Sequence, residues 1–273
     1  MIKKNPFEEP TLERETAESL SAKLLATTSQ LIKANEELKR MEKERSEMLA
    51  NISHDLRAPI TAIRSAVDYL TSGKNLTKED YDSSLGLIDR RTLFLENLIQ
   101  DMYYLFCVED TSKELTLETV PAAAFLEEYF YDAIVDTRYD EYQMNLDIDA
   151  NILGSIQIDI QKIVRVLDNL FTNAAKYSPN GTDITLKCEL SEDSQFLSVK
   201  VIDNGIGIPE ENLPQLFNRT YTVSSARTPG SESGTGLGLS IVKAIIERHQ
   251  GTVSCESKEG KGSCFSFTLP YIS

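Results

Sequence analysis

The chain has 273 residues, 41% of them hydrophobic, which suits one large domain or two modest ones plus a helical extension and excludes global disorder. Its formal net charge is −15, and no clustered Lys/Arg stripe interrupts the acidity. Nucleic acid is therefore excluded as a main partner, because phosphate backbones demand concentrated positive charge.

The N-terminal MIKKNPFEEPTLERE lacks the apolar stretch of a signal peptide, and no apolar run approaches the ~18–20 residues of a membrane span. A cytoplasmic location is expected, or the cytoplasmic part of a membrane-bound protein whose anchor lies outside this chain. Leu20, Leu24, Thr27, Leu31, Ala34, Leu38, Met41, Arg45, Met48 and Ile52 alternate in steps of four and three. Such a heptad seam, imperfect at Thr27 and Arg45, pairs two helices in parallel. Leu49, Ile52, Leu56, Ile63 and Leu70 define a shifted register, so the seam slips near residue 49.

Gly73 is the expected stop of this first helix. Thr77 followed by Asp80 resembles a capping box, with Asp in place of Glu. The second helix carries Leu85, Ile88, Thr92, Leu95, Ile99, Met102 and Phe106 on one face. Two helices with one apolar stripe each, joined by a short loop, bury both stripes most economically as a dimeric four-helix bundle.

Residues 108–114 (VEDTSKE) break the pattern and mark a domain boundary. Beyond them LTLETV, QMNLDID, DITLKCEL, FLSVKVID, TVSCES and SCFSFTL read as strands, and 121–138, 160–177 and 238–249 as helices. Strands and helices do not alternate strictly, so the domain is α+β and not doubly wound. The stretch 222–235 (TVSSARTPGSESGT) is a loop by composition. Cys107, Cys188, Cys255 and Cys264 form no CxxC pair, and the last three are expected as buried, reduced thiols in strands.

Three motifs of the second domain carry chemistry. On a helix expected to be capped by Asp159, Asn169 and Asn173 are four apart and share one face. Their carbonyl oxygens suit Mg²⁺ beside phosphates, with Lys176 one turn further along; a solvated Asn pair is the alternative. The strand Val201-Ile-Asp203 runs into Asn204-Gly205-Ile206-Gly207, a tight turn in which Asp203 could accept from an exocyclic amine or be a surface acid. Gly234-Thr-Gly236-Leu-Gly238 opens the helix IVKAIIERHQ, where backbone N–H groups can meet a phosphate. No strand precedes these glycines and no GxxxxGK[ST] exists, which excludes Rossmann and Walker A readings.

The set and its order resemble the N, G1 and G2 boxes of the GHKL ATP-binding fold over about residues 111–273. The resemblance implies an α/β sandwich in which Asn169, Asn173 and Lys176 serve Mg²⁺ and phosphates. Tyr177 would lie against the base and Asp203 would read the adenine amine, with Gly205 and Gly207 shaping the pocket. Gly234, Gly236 and Gly238 would line the phosphate side beneath a lid over 218–233. Leu216-Phe217-Asn218-Arg219 resembles the F box, with Thr220 where an aromatic is common.

Relatives that hydrolyse ATP carry Glu four residues before the Mg-binding Asn; here that position is Asn169, and an amide cannot take a proton from water. The chain has two histidines. His249 ends a helix, where a positive charge suits the dipole and a structural role is expected. His54 falls at an outward heptad position with Asp55 beside it, which can fix the tautomer and leave one ring nitrogen nucleophilic. Asn51-Ile-Ser-His54-Asp55-Leu-Arg57-Ala58-Pro59-Ile60 resembles the H box of the HisKA family, and Pro59 bends a helix that an ordinary bundle would keep straight.

These resemblances imply a sensor histidine kinase of two-component systems. Residues 1–45 would be an input coiled coil, 46–110 the dimerisation and phosphoacceptor domain, and 111–273 the ATP-binding domain. The chain would be a homodimer through 46–110 and the N-terminal helix, passing phosphate from His54 to a response regulator aspartate and reaching a membrane only through a sensor outside this chain. Ala58 stands where phosphatase-active relatives have Thr or Asn, so that activity is expected to be weak. The alternatives are a non-catalytic coiled-coil dimer switched by nucleotide, and a GHKL ATPase or Ser/Thr kinase.

Overall fold

A computed structural model describes residues 9–72, 76–110, 112–218 and 236–273. It divides into two compact units, Met1–Asp55 and Leu56–Ser273. The division falls within the first helix, α1 (Glu9–Leu70), which has Pro59 inside it. In the first unit the seam residues Leu20, Leu24, Leu31 and Leu38 stand exposed, as a stripe meant for another chain would, and Ile52 is buried. Met41, Arg45 and Met48 of the expected seam lie outside the residues whose side chains are described.

In the second unit α1 ends at Leu70 and α2 (Lys78–Glu109) begins after Thr77. The capping box forms as expected: the Asp80 carboxylate accepts from Thr77 N at 2.9 Å, and Thr77 Oγ1 accepts from Asp80 N at 3.2 Å. Gly73 lies outside the described residues.

A seven-stranded mixed sheet follows, built from β1 (Glu118–Pro121), β2 (Gln143–Ile148), β3 (Ser155–Ile158), β4 (Asp183–Leu190), β5 (Phe196–Asp203), β6 (Val253–Ser257) and β7 (Ser263–Ile272). The order is β1-β3-β7-β5-β4-β2, with β6 on β7. Among the described residues only β2 and β4 pair in parallel. Six strands match the expectation. β3 was not foreseen; its alternating Ile156 and Ile158 stand directly before the Asp159 cap of α4.

Three helices cover the sheet: α3 (Ala122–Ile134), α4 (Ile160–Tyr177) and α5 (Gly238–Arg248). The stretch expected as one helix over 121–138 is α3 followed by a 3₁₀ turn at Thr137–Tyr139, where the Asp136 side chain accepts from Arg138 N. A second unforeseen 3₁₀ turn spans Glu210–Gln215. Alternation buries every second residue of β4 and β5, and α4 lays Ile163, Val166, Leu167, Leu170, Phe171 and Ala174 onto that face. Phe171 anchors the core, in edge contact with the rings of Tyr129 at 5.5 Å and Tyr139 at 6.0 Å. Cys188 is buried, but Cys255 and Cys264 are only half-buried: Cys255 lies on the edge strand β6, and Cys264 alternates with the buried Ser263 and Phe265 onto the other face of β7.

The C-terminal end of α2 packs on α5 with Leu98, Leu105 and Val108 buried. Arg165 of α4 pairs with Asp101 and lies 5.8 Å from the Tyr104 ring; Arg248 donates to Val108 O at 3.0 Å and to Lys113 O. His249 corrects its expected electrostatics. It is 5% exposed; Nδ1 lies 2.8 Å from Ile245 O and Nε2 accepts from Asp159 N at 3.0 Å. That pairing fits the neutral ring with its proton on Nδ1, and burial lowers the pKa, outweighing the Ile245 carbonyl and the Asp159 carboxylate. The ring is a neutral bridge between α5 and the cap of α4, not a positive charge on a helix dipole.

Candidate nucleotide site and phosphoacceptor histidine

α4 carries the first part of the site because two stripes share its surface. At about 100° per residue, the Asn169–Asn173–Lys176 stripe flanks the buried one. Asp159 caps the helix as expected, accepting from Lys162 N at 3.3 Å, with the Lys162 ammonium at 2.9 Å. Asn169 and Asn173 are half-buried, Lys176 is exposed, and Lys176 Nζ sits 5.0 Å from the centre of the Tyr177 ring. Asn169 Nδ2 is buried with no hydrogen-bond partner. An orphaned NH2 donor of this kind calls for an acceptor, such as an oxygen of a ligand, and not for a cation.

The second part is the turn after β5. Asp203 is 4% exposed, and its Oδ1 accepts from Gly205 N at 2.8 Å and Ser263 N at 3.2 Å. Burial raises its pKa, and the two backbone N–H groups oppose that rise. A side chain at Gly205 would strike Tyr177 O at 2.4 Å, so the turn rests directly on the end of α4. Gly207 has φ +69°, a left-handed conformation that glycine adopts without strain. The turn is tied down on both sides: Ile206 N donates to Tyr177 O at 3.1 Å, Gly260 N to Ile206 O at 2.7 Å, and Ile208 N to Ser257 Oγ at 2.9 Å. The sequence reading missed this contribution of the β6–β7 hairpin. Its signal was present in the glycines of KEGKGS.

The third part is the start of α5. The first-turn N–H groups of a helix have no intrahelical acceptor, and at Gly238 they open beside α4. A Cβ on Gly238 would lie 3.4 Å from Asn169 Oδ1, so the first turn of α5 and the Asn stripe adjoin. Gly236 has φ +72°. Gly234, Arg219, Thr220 and nearly all of the expected 218–233 lid lie outside the described residues. The structure thus brings together Asn169, Asn173, Lys176, Tyr177, Asp203, Gly205, Gly207 and Gly238. A cavity of about 520 Å³ on the other flank of α4, lined by Phe125, Tyr129, Ile160, Val164 and Asp168, contains none of them.

His54 belongs to the first unit and is described there. Its side chain is 74% exposed, and Nδ1 lies 3.3 Å from Asp55 Oδ1. This contact directs Nε2 away from the neighbouring carboxylate and leaves it accessible. Ala58, four residues on, is exposed.

Two family descriptions match the chain: "Histidine kinase-, DNA gyrase B-, and HSP90-like ATPase" over residues 158–273, and "His Kinase A (phospho-acceptor) domain" over residues 44–110. The chain is 34% identical over 238 residues to the sensor histidine kinase WalK of Bacillus subtilis, covering 86% of this chain and 38% of that protein. It is 30% identical to the sensor protein SrrB of Staphylococcus aureus, covering 84% of this chain and 39% of that protein. The chain therefore spans less than half the length of these relatives. Among solved structures, the Acinetobacter baumannii histidine kinase AdeS is 25% identical with a TM-score of 0.58, covering 81% of this chain and 98% of that one. Histidine kinase ThkA in complex with response regulator protein TrrA shares the fold, with 24% identity and a TM-score of 0.63 over 83% of this chain and 61% of that one. Among the described residues no helix is long and apolar enough to cross a membrane.

Proposed function

Because this chain belongs to the sensor histidine kinases, with a HisKA phosphoacceptor domain and a histidine kinase-type ATPase domain, we propose that it phosphorylates His54 from ATP and passes the phosphoryl group to an aspartate of a response regulator. The observation that carries this reading is the exposed His54 ring, held at Nδ1 by Asp55 with Nε2 outward. Nε2 attacks the γ-phosphorus, the bond from phosphorus to the bridging oxygen breaks, and ADP leaves. The Nδ1 proton passes to the Asp55 carboxylate, so the phosphorylated ring stays neutral. An aspartate oxygen of the partner then displaces the ring nitrogen, as the pairing of ThkA with TrrA makes chemically reasonable.

The residues around the nucleotide bind and orient. Asp203 accepts from the adenine amine, Tyr177 lies on the base, and Lys176 with the start of α5 holds phosphate oxygens. The side-chain carbonyl oxygens of Asn169 and Asn173 would hold Mg²⁺, which would neutralise phosphate charge, and the unpartnered Asn169 Nδ2 is a donor for a phosphate oxygen. Asn169 supplies no base for water, so phosphoryl transfer to His54 outcompetes hydrolysis. The exposed seam of α1 and the hairpin face bearing Leu85, Ile99 and Phe106 are the surfaces of a homodimer. Domain limits at 46 and 111, an input role for residues 1–45 and a cytoplasmic location complete the reading.

Label from γ-labelled ATP should be acid-labile and base-stable, and should vanish in His54→Gln and Asn173→Ala. Label that survives in His54→Gln refutes the assignment. With Ala58 unable to orient water, the half-life of a partner's phosphoaspartate should be unchanged by adding the protein; rapid dephosphorylation would contradict that part.

A further inference from the structure

Ser257, the last residue of β6, joins the β6–β7 hairpin to the turn after β5 through a hydroxyl that is fully used. Its proton goes to Gly262 O at 2.7 Å, and its oxygen accepts from Ile208 N at 2.9 Å and lies 3.0 Å from Ser263 Oγ. A serine hydroxyl has one donor and two acceptor positions. With the Ser257 proton on Gly262, the Ser263 hydroxyl is the donor of that last pair.

These bonds close a ring around residues 203–208. Ser257 holds the exit of the turn at Ile208. It also holds Ser263, which stands opposite Ser257 in the β6–β7 register and opposite Asp203 in the β5–β7 register. Ser263 N donates to Asp203 Oδ1 at 3.2 Å, and Gly205 N donates to the same oxygen at 2.8 Å. Two fixed donors on one oxygen set the rotation of the carboxylate, and Oδ2 is left without a donor among the described residues. The ring has no slack: a side chain at Gly262, where φ is +85°, would strike Asp203 O, and one at Gly207 would strike Lys258 O.

Resting on the ATP-binding reading above, we infer that Ser257 is a positioning residue for adenine recognition, which anchors the hairpin to the turn and so holds Asp203 with Oδ2 aimed at the N6 amine. Ser257 acts through Asp203 and makes no contact with the base. Without its hydroxyl, Ile208 N loses its acceptor, the hairpin loosens against the turn, and Ser263 N no longer holds the carboxylate in one rotation.

The test titrates the intact chain calorimetrically, with Mg²⁺ present, using ADP and purine riboside diphosphate, which carries hydrogen in place of the N6 amine. Wild type should prefer ADP by roughly 10- to 100-fold, the range for a hydrogen bond to a charged group. Ser257→Ala should bind ADP roughly 3- to 10-fold less tightly, as expected for the loss of one neutral hydrogen bond, and bind the purine riboside ligand as wild type does. Ser257→Thr, which keeps the hydroxyl, should bind ADP as wild type does. The inference is overturned if Ser257→Ala weakens both ligands by the same factor, which marks a merely structural role, or leaves ADP binding unchanged. It is overturned equally if Ser257→Thr binds ADP no better than Ser257→Ala. A wild-type chain that binds neither ligand overturns the nucleotide site itself, and one that binds both alike overturns the role of Asp203; each is distinct from a failure at Ser257.

Discussion

Two helices of this chain carry apolar residues at the same three–four spacing and meet opposite fates. On α4, Ile163, Val166, Leu167, Leu170 and Phe171 are at most 1% exposed; on α1, Leu20, Leu24, Leu31 and Leu38 are 62–66% exposed. The pattern is equivalent, and what differs is the cover the chain supplies. The stripe of α4 lies on the sheet of its own unit, whereas the first unit, Met1–Asp55, holds no element but α1 among its described residues. Such a stripe needs another helix like itself as cover. Amphipathic spacing thus identifies a face to be buried, and what else its unit contains decides where the cover comes from.

The largest effect should come from emptying the covered stripe. Phe171→Ala removes a ring that touches two tyrosines and should cost about 3–5 kcal/mol in urea unfolding, independent of protein concentration. A loss below about 1 kcal/mol would mean that α4 is not the keystone of its layer. Next, Leu24→Asn with Leu31→Asn should weaken self-association by roughly 10- to 100-fold, as expected for two apolar side chains left in water. Sedimentation equilibrium measures this, and an unchanged dissociation constant would show that the exposed seam pairs with nothing.

The smallest effect is one of pH. The folded state holds His249 neutral because burial lowers its pKa, while the Ile245 carbonyl and Asp159 carboxylate offset part of that, and Lys162 and Arg248 add to it. The unfolded chain takes up a proton near pH 6.5 and the folded one only at lower pH, so stability should decline as pH falls below about 6.5. His249→Gln should flatten that slope in urea titrations between pH 5 and 7. An unchanged slope would locate the proton elsewhere.

Much of the site was legible because its parts are local. The Asn169–Asn173 spacing, the Asp159 cap, the carboxylate closing β5 and the glycine at the start of α5 each depend on residues within a few positions. The capping box at Thr77 was readable for the same reason. β3 escaped where its two isoleucines run straight into the cap of α4, and the ties from the β6–β7 hairpin to residues 206 and 208 escaped because they join segments about fifty residues apart. The half-burial of Cys255 and Cys264 depended on which strand is the edge and which face of β7 is covered, which strand composition does not encode.

The amino-acid sequence alone determined the helical hairpin with its seam, the α+β character of the second region and the kinase family resemblance, and it singled out His54, Asn173 and Asp203 as candidates. Periodicity, capping and short motifs are governed by near neighbours, and so survive without coordinates. Tertiary structure alone decided which polar atoms end buried and whether they find partners: His249 neutral against a backbone N–H ninety residues away, Asp203 bridged to Ser263, Asn169 Nδ2 left with none. Burial and long-range pairing arise only when distant segments are packed together, and those two quantities set the charge state and the unmet bonds from which a binding site is made.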